Sequence, residues 1–254
     1  MPERARLLAV DVGNSEITIG RFEGETVTSF WRLTTRVETA DEVALHLDAL
    51  LDGAESPGGS VLSSVVPALS RPWAAALQRR TPGAVVEITA ESARDLEIRV
   101  PDPSSVGADR IANAIAVRVR HGTPAIVVDL GTATTFDCVS ADGAYIGGII
   151  APGVTTSAEE LFRRAARLAR VELRRPPRAV GRTTEESLQA GLVWGHAGQI
   201  DALVRRLAAE IGGAPRVIAT GGWAATIAPE CETVHAVDDA LTLHGMRLVW
   251  ERTR

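Results

Sequence analysis

The sequence predicts an α/β protein built from two copies of one unit, each led by a β-hairpin, and three observations carry that expectation. Leu7-Leu8-Ala9-Val10-Asp11-Val12-Gly13-Asn14-Ser15 is matched by Ala125-Ile126-Val127-Val128-Asp129-Leu130-Gly131-Thr132-Ala133, an apolar run that ends in Asp-x-Gly and a small polar residue. Each copy leads into an alternating apolar run, residues 17–22 and 135–139, and then into a third, residues 26–31 and 144–150. Asp11 and Asp129 stand close to half the chain apart, so the repeat accounts for the whole length.

The remaining elements follow in order. In the first half the spacing predicts a helix over 40–51, a β-branched strand over 60–66, a helix over 69–79 and a strand over 84–88. Pro57-Gly58-Gly59 and Pro82-Gly83 supply the breaks between them. Residues 108–120 read as a helix joining the halves. In the second half, 157–169 and 184–211 read as helices, 216–220 as a strand ending in Gly221-Gly222, and 240–252 as a closing helix. The expected domains are therefore 1–115 and 116–254, packed closely across a cleft because no low-complexity linker separates them.

Composition narrows the function. A net charge of −5 lacks the clustered positive excess that a nucleic-acid surface requires. All 27 basic residues are arginines, which rules out the Gly-Lys-Ser/Thr phosphate loop. Cys138 and Cys231 are far apart and suggest neither a disulfide scaffold nor a cysteine zinc site. His46, His121, His196, His235 and His244 show no metal-ligand spacing. The apolar segment ending at Asp11 is too short for a secretory signal, and no apolar run is long enough to span a membrane. A cytoplasmic, membrane-free protein is expected.

The repeated turn suggests phosphate chemistry. Glycine lets the backbone approach a phosphate, and main-chain N–H groups in such a turn form a concavity that binds anions. An Asp at the carboxyl end of the strand can hold the cation that neutralises a triphosphate. One such turn is equally an ordinary hairpin. Two copies, plus a third glycine turn where Ile218-Ala219-Thr220-Gly221-Gly222 ends a strand and opens a helix, are the pattern of the actin, sugar-kinase and heat-shock-chaperone superfamily. Its fold is a duplicated ribonuclease-H-like one, two lobes with a nucleotide cleft between them, and Asp11 and Asp129 are expected to face that cleft.

Further segments make the resemblance narrower. Asp11-Val12-Gly13-Asn14-Ser15, Ser63-Ser64-Val65-Val66-Pro67, Gly107-Ala108-Asp109-Arg110-Ile111-Ala112-Asn113-Ala114, Asp129-Leu130-Gly131-Thr132-Ala133-Thr134-Thr135-Phe136-Asp137, Gly147-Gly148-Ile149-Ile150-Ala151-Pro152-Gly153 and Leu241-Thr242-Leu243-His244-Gly245 together resemble type III pantothenate kinases, in order along essentially the whole chain. The resemblance implies an ATP-dependent phosphorylation of the pantothenate hydroxyl, the first step of coenzyme A biosynthesis. It places ATP on the turn from Asp11 through Val12, Gly13, Asn14, Ser15, Glu16 and Ile17 to Thr18, with Thr132, Gly221 and Gly222 also on the nucleotide. Asp109 is implied as the base, with Gly107, Ala108, Asp109 and Arg110 shaping the acceptor pocket. Asp129 is implied to hold a potassium or ammonium ion, and Asp11 to serve the magnesium that accompanies ATP. Thr184 is implied to reach the substrate across a homodimer interface.

Physical chemistry is compatible with those roles. Phosphoryl transfer needs positioning, charge neutralisation and a carboxylate near the attacking hydroxyl. Asp109 opens a predicted helix, whose dipole favours a negative charge there. The plain alternatives are a helix-start charge for Asp109, core packing for Trp31, Trp73, Trp194, Trp223 and Trp250, and a solvated helix face and following loop for the arginine run between Arg163 and Arg178.

The sequence departs from the family pattern at two places near these motifs. Residues 100–106, Val-Pro-Asp-Pro-Ser-Ser-Val, are short and lack the family's tyrosine, and Tyr145 belongs to the second hairpin. Glu16 stands where the family generally has Asn, and a carboxylate beside a phosphate turn repels ATP unless it points away or meets a cation. Two classes of function stay open: a kinase for pantothenate or another small alcohol, or a nucleotide-binding regulatory or accessory protein without turnover. Asp11, Asp109, Arg110, Asp129 and Thr132 together favour the kinase, because a protein released from catalysis need not keep all five.

Overall fold

The computed structural model describes residues 6–52, 55–165, 168 and 170–253. The first five residues, read above as no signal segment, lie outside them, as do residue 167 of the arginine run and residues 166 and 169 of the helix expected over 157–169. The chain divides into two compact units, Val117–Ala240 and the remainder on either side of it.

In the first unit, β1 (Arg6–Val12), β2 (Glu16–Glu23), β3 (Thr26–Thr34), β4 (Ser60–Ser64) and β5 (Val86–Glu87) form a sheet of order β3-β2-β1-β4-β5. The hairpin strands pair antiparallel, while β4 pairs parallel with both β1 and β5. Alternation along β1 sends Leu8, Val10 and Val12 to the face covered by α1 (Ala40–Leu50) and α2 (Pro67–Arg80), where they pack with Val43, Leu47, Leu69, Trp73 and Leu77. Burying those side chains contributes about 1.5–3 kcal/mol each, enough to fix which face of β1 turns inward. A capping box starts α1: the Thr39 hydroxyl accepts from the Glu42 N–H at 3.3 Å, and Glu42 accepts from the Thr39 N–H at 2.7 Å.

Ala9 and Asp11 face the other way. That side carries α8 (Leu241–Arg252), whose Leu243 seats directly over Gly20 and whose His244 meets the Phe22 ring edge-on at 5.5 Å. α3 (Ala108–Arg120) packs against α8 where a Cβ on Gly245 would fall on the Ala112 carbonyl oxygen, so the helices can approach this closely only over a glycine. The Thr242 hydroxyl donates to Asn113 Oδ1 at 2.8 Å beside that contact. The closing helix, which a division at residue 116 assigns to the second domain, thus completes the first unit's core. Its apolar face and Gly245 match α3 and the first sheet, a fit no local pattern in 240–252 announces.

The second unit repeats the scheme. β6 (Ala125–Leu130), β7 (Ala133–Val139), β8 (Tyr145–Pro152), β9 (Arg216–Thr220) and β10 (Ala236–Val237) form a sheet of order β10-β9-β6-β7-β8. Strand for strand this is the first sheet again: the hairpin partners are antiparallel, and β9 is parallel to β6 and β10. Ile126, Val128, Leu130 and Phe136 bury against α4 (Val154–Arg164) and the long helical run that follows.

That run, expected as one helix over 184–211, is α5 (Thr184–Gln189), one wide π turn (Ala190–Trp194) and α6 (Gly195–Ile211). Such a turn inserts an extra residue. Here His196 Nδ1 donates to the Leu192 carbonyl at 2.6 Å, and the Trp194 indole reaches Glu230 at 2.7 Å. α4 stops at Arg164, and Arg170, Arg174, Arg175 and Arg178 beyond it lie outside any helix or strand. Arg174, Arg175 and Arg178 pair there with Glu185, Glu230 and Glu186, so internal carboxylates already answer their charge. A short α7 (Ala224–Ile227) follows β9.

Candidate active site

The first unit gathers three of the sequence motifs at the carboxyl ends of β1 and β4. Asp11 and Ser63 lie side by side in register on those strands, and the Ser63 hydroxyl donates to Asp11 Oδ1 at 2.7 Å. The Val65 N–H donates to the Val12 carbonyl at 3.1 Å, which carries the strand pairing into the turn. Val65 in turn lies 3.6 Å from where a Cβ on Gly107 would be, so the segment before α3 abuts the same strand ends.

The Asp11 turn is held from outside. Thr35, just past β3, donates its hydroxyl to the Gly13 carbonyl at 2.7 Å and its N–H to the Ser15 carbonyl at 3.1 Å. Both carbonyls are thereby drawn toward Thr35. Asn14, Ser15 and Glu16 are exposed at the tip and Thr18 is half-buried, whereas Val12 and Ile17 are fully buried and serve the core with their side chains. Val12 and Ile17 can therefore face a ligand only through their main chain. Glu16 pairs with Arg32 across the hairpin at 3.2 Å, so a cation meets the carboxylate that the sequence left beside the turn. Being half-exposed, the pair contributes little stability; its effect is to cancel charge where a phosphate would approach.

Asp109 sits in the first turn of α3, behind buried Ala108. Its Oδ1 accepts the Arg110 N–H at 2.8 Å. Burial pushes the Asp109 carboxyl above the usual carboxylate range, against that N–H and the nearby Arg110 guanidinium, which both lower it. Gly107 makes the arrangement possible, because a Cβ there would lie 2.6 Å from the same Oδ1. Upstream, residues 101–105 are exposed, and Asp102 caps a single 3₁₀ turn by accepting from the Ser104 N–H at 3.0 Å. The aromatic-free loop is a self-contained turn.

In the second unit, Asp129 occupies the position on β6 that Asp11 has on β1. Its carboxylate rests on glycine: a Cβ on Gly221 would lie 2.5 Å from Asp129 Oδ1, and one on Gly131 3.7 Å. Gly221 adopts φ +90°, a conformation that glycine alone takes readily. Gly153 admits the Gly131-Thr132 turn, whose Gly131 carbonyl would be 2.5 Å from a Cβ there. Thr156 donates its hydroxyl to the Thr132 carbonyl at 2.6 Å, leaving the Thr132 side chain exposed. Exposed Gly222 precedes Trp223, whose N–H goes to the Leu130 carbonyl at 3.2 Å and whose indole donates to Thr155 at 2.8 Å. Gly131, Thr132, Gly153, Gly221 and Trp223 thus form one connected group around Asp129.

Thr184 stands outside these groups. It is exposed at the first position of α5, whose start is capped by Thr183 accepting from the Glu186 N–H at 3.1 Å. Cys231 offers no nucleophile: burial, with Asp201 and Glu230 nearby, pushes its thiol up to about 12. Among the described residues no three His, Cys, Asp or Glu side chains gather to cage a metal ion. A cation here would depend on single carboxylates such as Asp11 and Asp129, completed by carbonyls, water and phosphate. That suits ions which accept oxygen ligands and share them with a triphosphate. Sequence patterns pointed to Asp11, Asp109, Asp129 and the glycines. They passed over Thr35, Thr155, Thr156 and the role of Ser63, one of three serines in its short strand.

Two hairpin-led sheets of identical strand order, each ending in an Asp-x-Gly turn, define a kinase-type fold of the actin and sugar-kinase class. A ROK hexokinase from Thermus thermophilus aligns over 98% of this chain and 100% of its own at TM-score 0.55 and 14% identity. A ROK glucokinase from Streptomyces griseus, solved with glucose and AMPPNP, aligns over 97% and 100% at TM-score 0.54 and 13% identity. These likenesses concern the fold. Sequence carries the narrower result. The profile of the type III pantothenate kinase family matches residues 7–206. The type III pantothenate kinase of Moorella thermoacetica is 45% identical over 252 residues, 97% of this chain and 99% of that protein, and the one from Thermomicrobium roseum is 46% identical over 253 residues, 97% of each. The chain belongs to the type III pantothenate kinase family.

Proposed function

We propose that the protein transfers the γ-phosphoryl group of ATP to the hydroxyl of pantothenate, in the cytoplasm, opening coenzyme A biosynthesis. The observation that carries the chemistry is Asp109: a carboxylate at a helix start, oriented by one main-chain N–H and made more basic by burial. In this reading Asp109 accepts the proton of the attacking hydroxyl, and Gly107, Ala108 and Arg110 shape the place where that hydroxyl sits. The Asp11–Thr18 turn, Thr132, Gly221 and Gly222 hold the nucleotide by main-chain and hydroxyl donors, which suits a reaction whose catalysis is mainly positioning and charge stabilisation. Magnesium, when bound, neutralises the triphosphate; Asp11 would hold it, and Asp129 would hold potassium or ammonium.

The test is a coupled assay of ATP consumption with pantothenate, run in potassium and again in sodium at constant ionic strength. Pantothenate-dependent turnover that falls sharply in sodium is expected. ATP turnover absent with pantothenate but present with another alcohol would reject the acceptor, and equal rates in the two salts would reject the monovalent-cation site alone.

We also infer a homodimer formed by the helical run from Thr184 to Ile211. The support is that Thr184, which the resemblance to the family implies to reach substrate across a dimer interface, is exposed at the start of α5. Light scattering at micromolar concentration should report twice the chain mass; a fully active monomer would contradict it.

A further inference from the structure

Ser63 is a buried polar residue with no packing reason to be polar. Its strand, β4, reads Ser60-Val61-Leu62-Ser63-Ser64; Ser60 and Ser63 are both fully buried, and Ser60 is answered by the Thr81 hydroxyl at 2.9 Å. A buried hydroxyl destabilises the fold unless it is bonded. That of Ser63 donates to Asp11 Oδ1 at 2.7 Å, the length of a charge-assisted bond. The χ2 torsion of an aspartate is broad and sets its own direction poorly. A fixed donor on the adjacent strand, at the same register position, selects one direction.

The duplication supplies an independent instance. In the second sheet the residue in register with Asp129 on the neighbouring parallel strand is Thr220, again a hydroxyl and again buried, 2% exposed. Around these two positions the apolar partners of the repeat differ freely, yet a buried hydroxyl beside the strand-end aspartate occurs in both units. Packing alone gives no reason for that coincidence.

We propose that Ser63 is a positioning residue for the phosphoryl transfer. It holds the Asp11 carboxylate in the orientation that receives the magnesium–nucleotide, without touching either itself. The inference rests on reading the Asp11 turn as the nucleotide site. Orientation set before the ligand arrives improves binding of the nucleotide in particular, because no ordering of the carboxylate remains to be done on association.

The test is calorimetric binding of AMPPNP with magnesium to Ser63→Ala, Ser63→Thr and Asp11→Asn, each checked for folding by thermal melting, beside steady-state kinetics. Loss of one hydrogen bond to a charged group should weaken AMPPNP binding about 10- to 100-fold in Ser63→Ala. The Michaelis constant for ATP should rise with it and that for pantothenate should not. Ser63→Thr carries the second unit's residue at this register, keeps the donor and should stay within a few-fold of wild type. Folded Ser63→Ala that binds AMPPNP like wild type, while Asp11→Asn binds weakly, overturns the positioning role and leaves the nucleotide site standing. Equal losses in the Ala and Thr variants would assign the effect to packing and also overturn it. Should Asp11→Asn bind like wild type, the nucleotide reading of this turn falls, and the role of Ser63 with it.

Discussion

Asp109→Asn is expected to lower turnover with pantothenate by about 10²–10⁴-fold, the usual contribution of a positioned general base, while AMPPNP binding stays close to wild type. Asparagine keeps the oxygen that accepts the Arg110 N–H and adds no bulk beside Gly107, so the helix start should survive intact. The same variant should melt at a higher temperature than wild type at neutral pH. The sign follows from linkage. Burial raises the folded-state pKa of Asp109 above its unfolded value. Below the unfolded pKa the carboxyl is protonated in both states and exacts no penalty. As pH rises through the folded pKa, the unfolded chain has already released its proton and stability is lost. Asparagine never ionises and escapes that loss, so the two melting curves should converge in acid and separate toward neutrality. Unchanged turnover would show that another group is the base; equal melting temperatures at every pH would show that the partly buried carboxylate is not strained by its charge.

Gly221→Ala should be strongly destabilising. The new Cβ would meet Asp129 Oδ1 at 2.5 Å and the Leu130 main chain at 2.8 Å, and the backbone at φ +90° disfavours any L side chain. Backbone strain of about 1–2 kcal/mol and overpacking of about 1–3 kcal/mol combine to roughly 2–5 kcal/mol. For a chain of this size that lowers the melting temperature by about 10 °C. Displacing Asp129 should also abolish any preference for potassium over sodium. Gly222→Ala is the control for stability, since nothing lies within 4 Å of its Cβ position, and its melting temperature should match wild type. If the two alanine variants melt alike, Gly221 is not the seat of Asp129.

The duplication was legible because it is local twice over: an apolar strand, an Asp-x-Gly turn and a hairpin need only neighbouring residues to be recognised. The two sheets repeat that order strand for strand. What escaped were features made by distant residues. The extra residue in the π turn lies within an unbroken helical pattern. The bond from Thr35 to Gly13 joins residues on either side of a whole hairpin, and the carboxylate at Glu16 looked troublesome only while Arg32, on the facing strand, was out of view. Asp109 could be located from its motif, but the direction of its pKa shift depends on burial that no spacing encodes.

The return of α8 to the first sheet has a consequence for the order in which a growing chain can settle. Domains tend to fold as units while synthesis proceeds. The second unit, Val117–Ala240, is one uninterrupted stretch, whereas the first takes its helix from Leu241 onward. Until that helix is translated, Gly20 and Phe22 lack the Leu243 and His244 that cover them, and the close seat of Gly245 on Ala112 is missing. The part of the protein that is made first is therefore finished last.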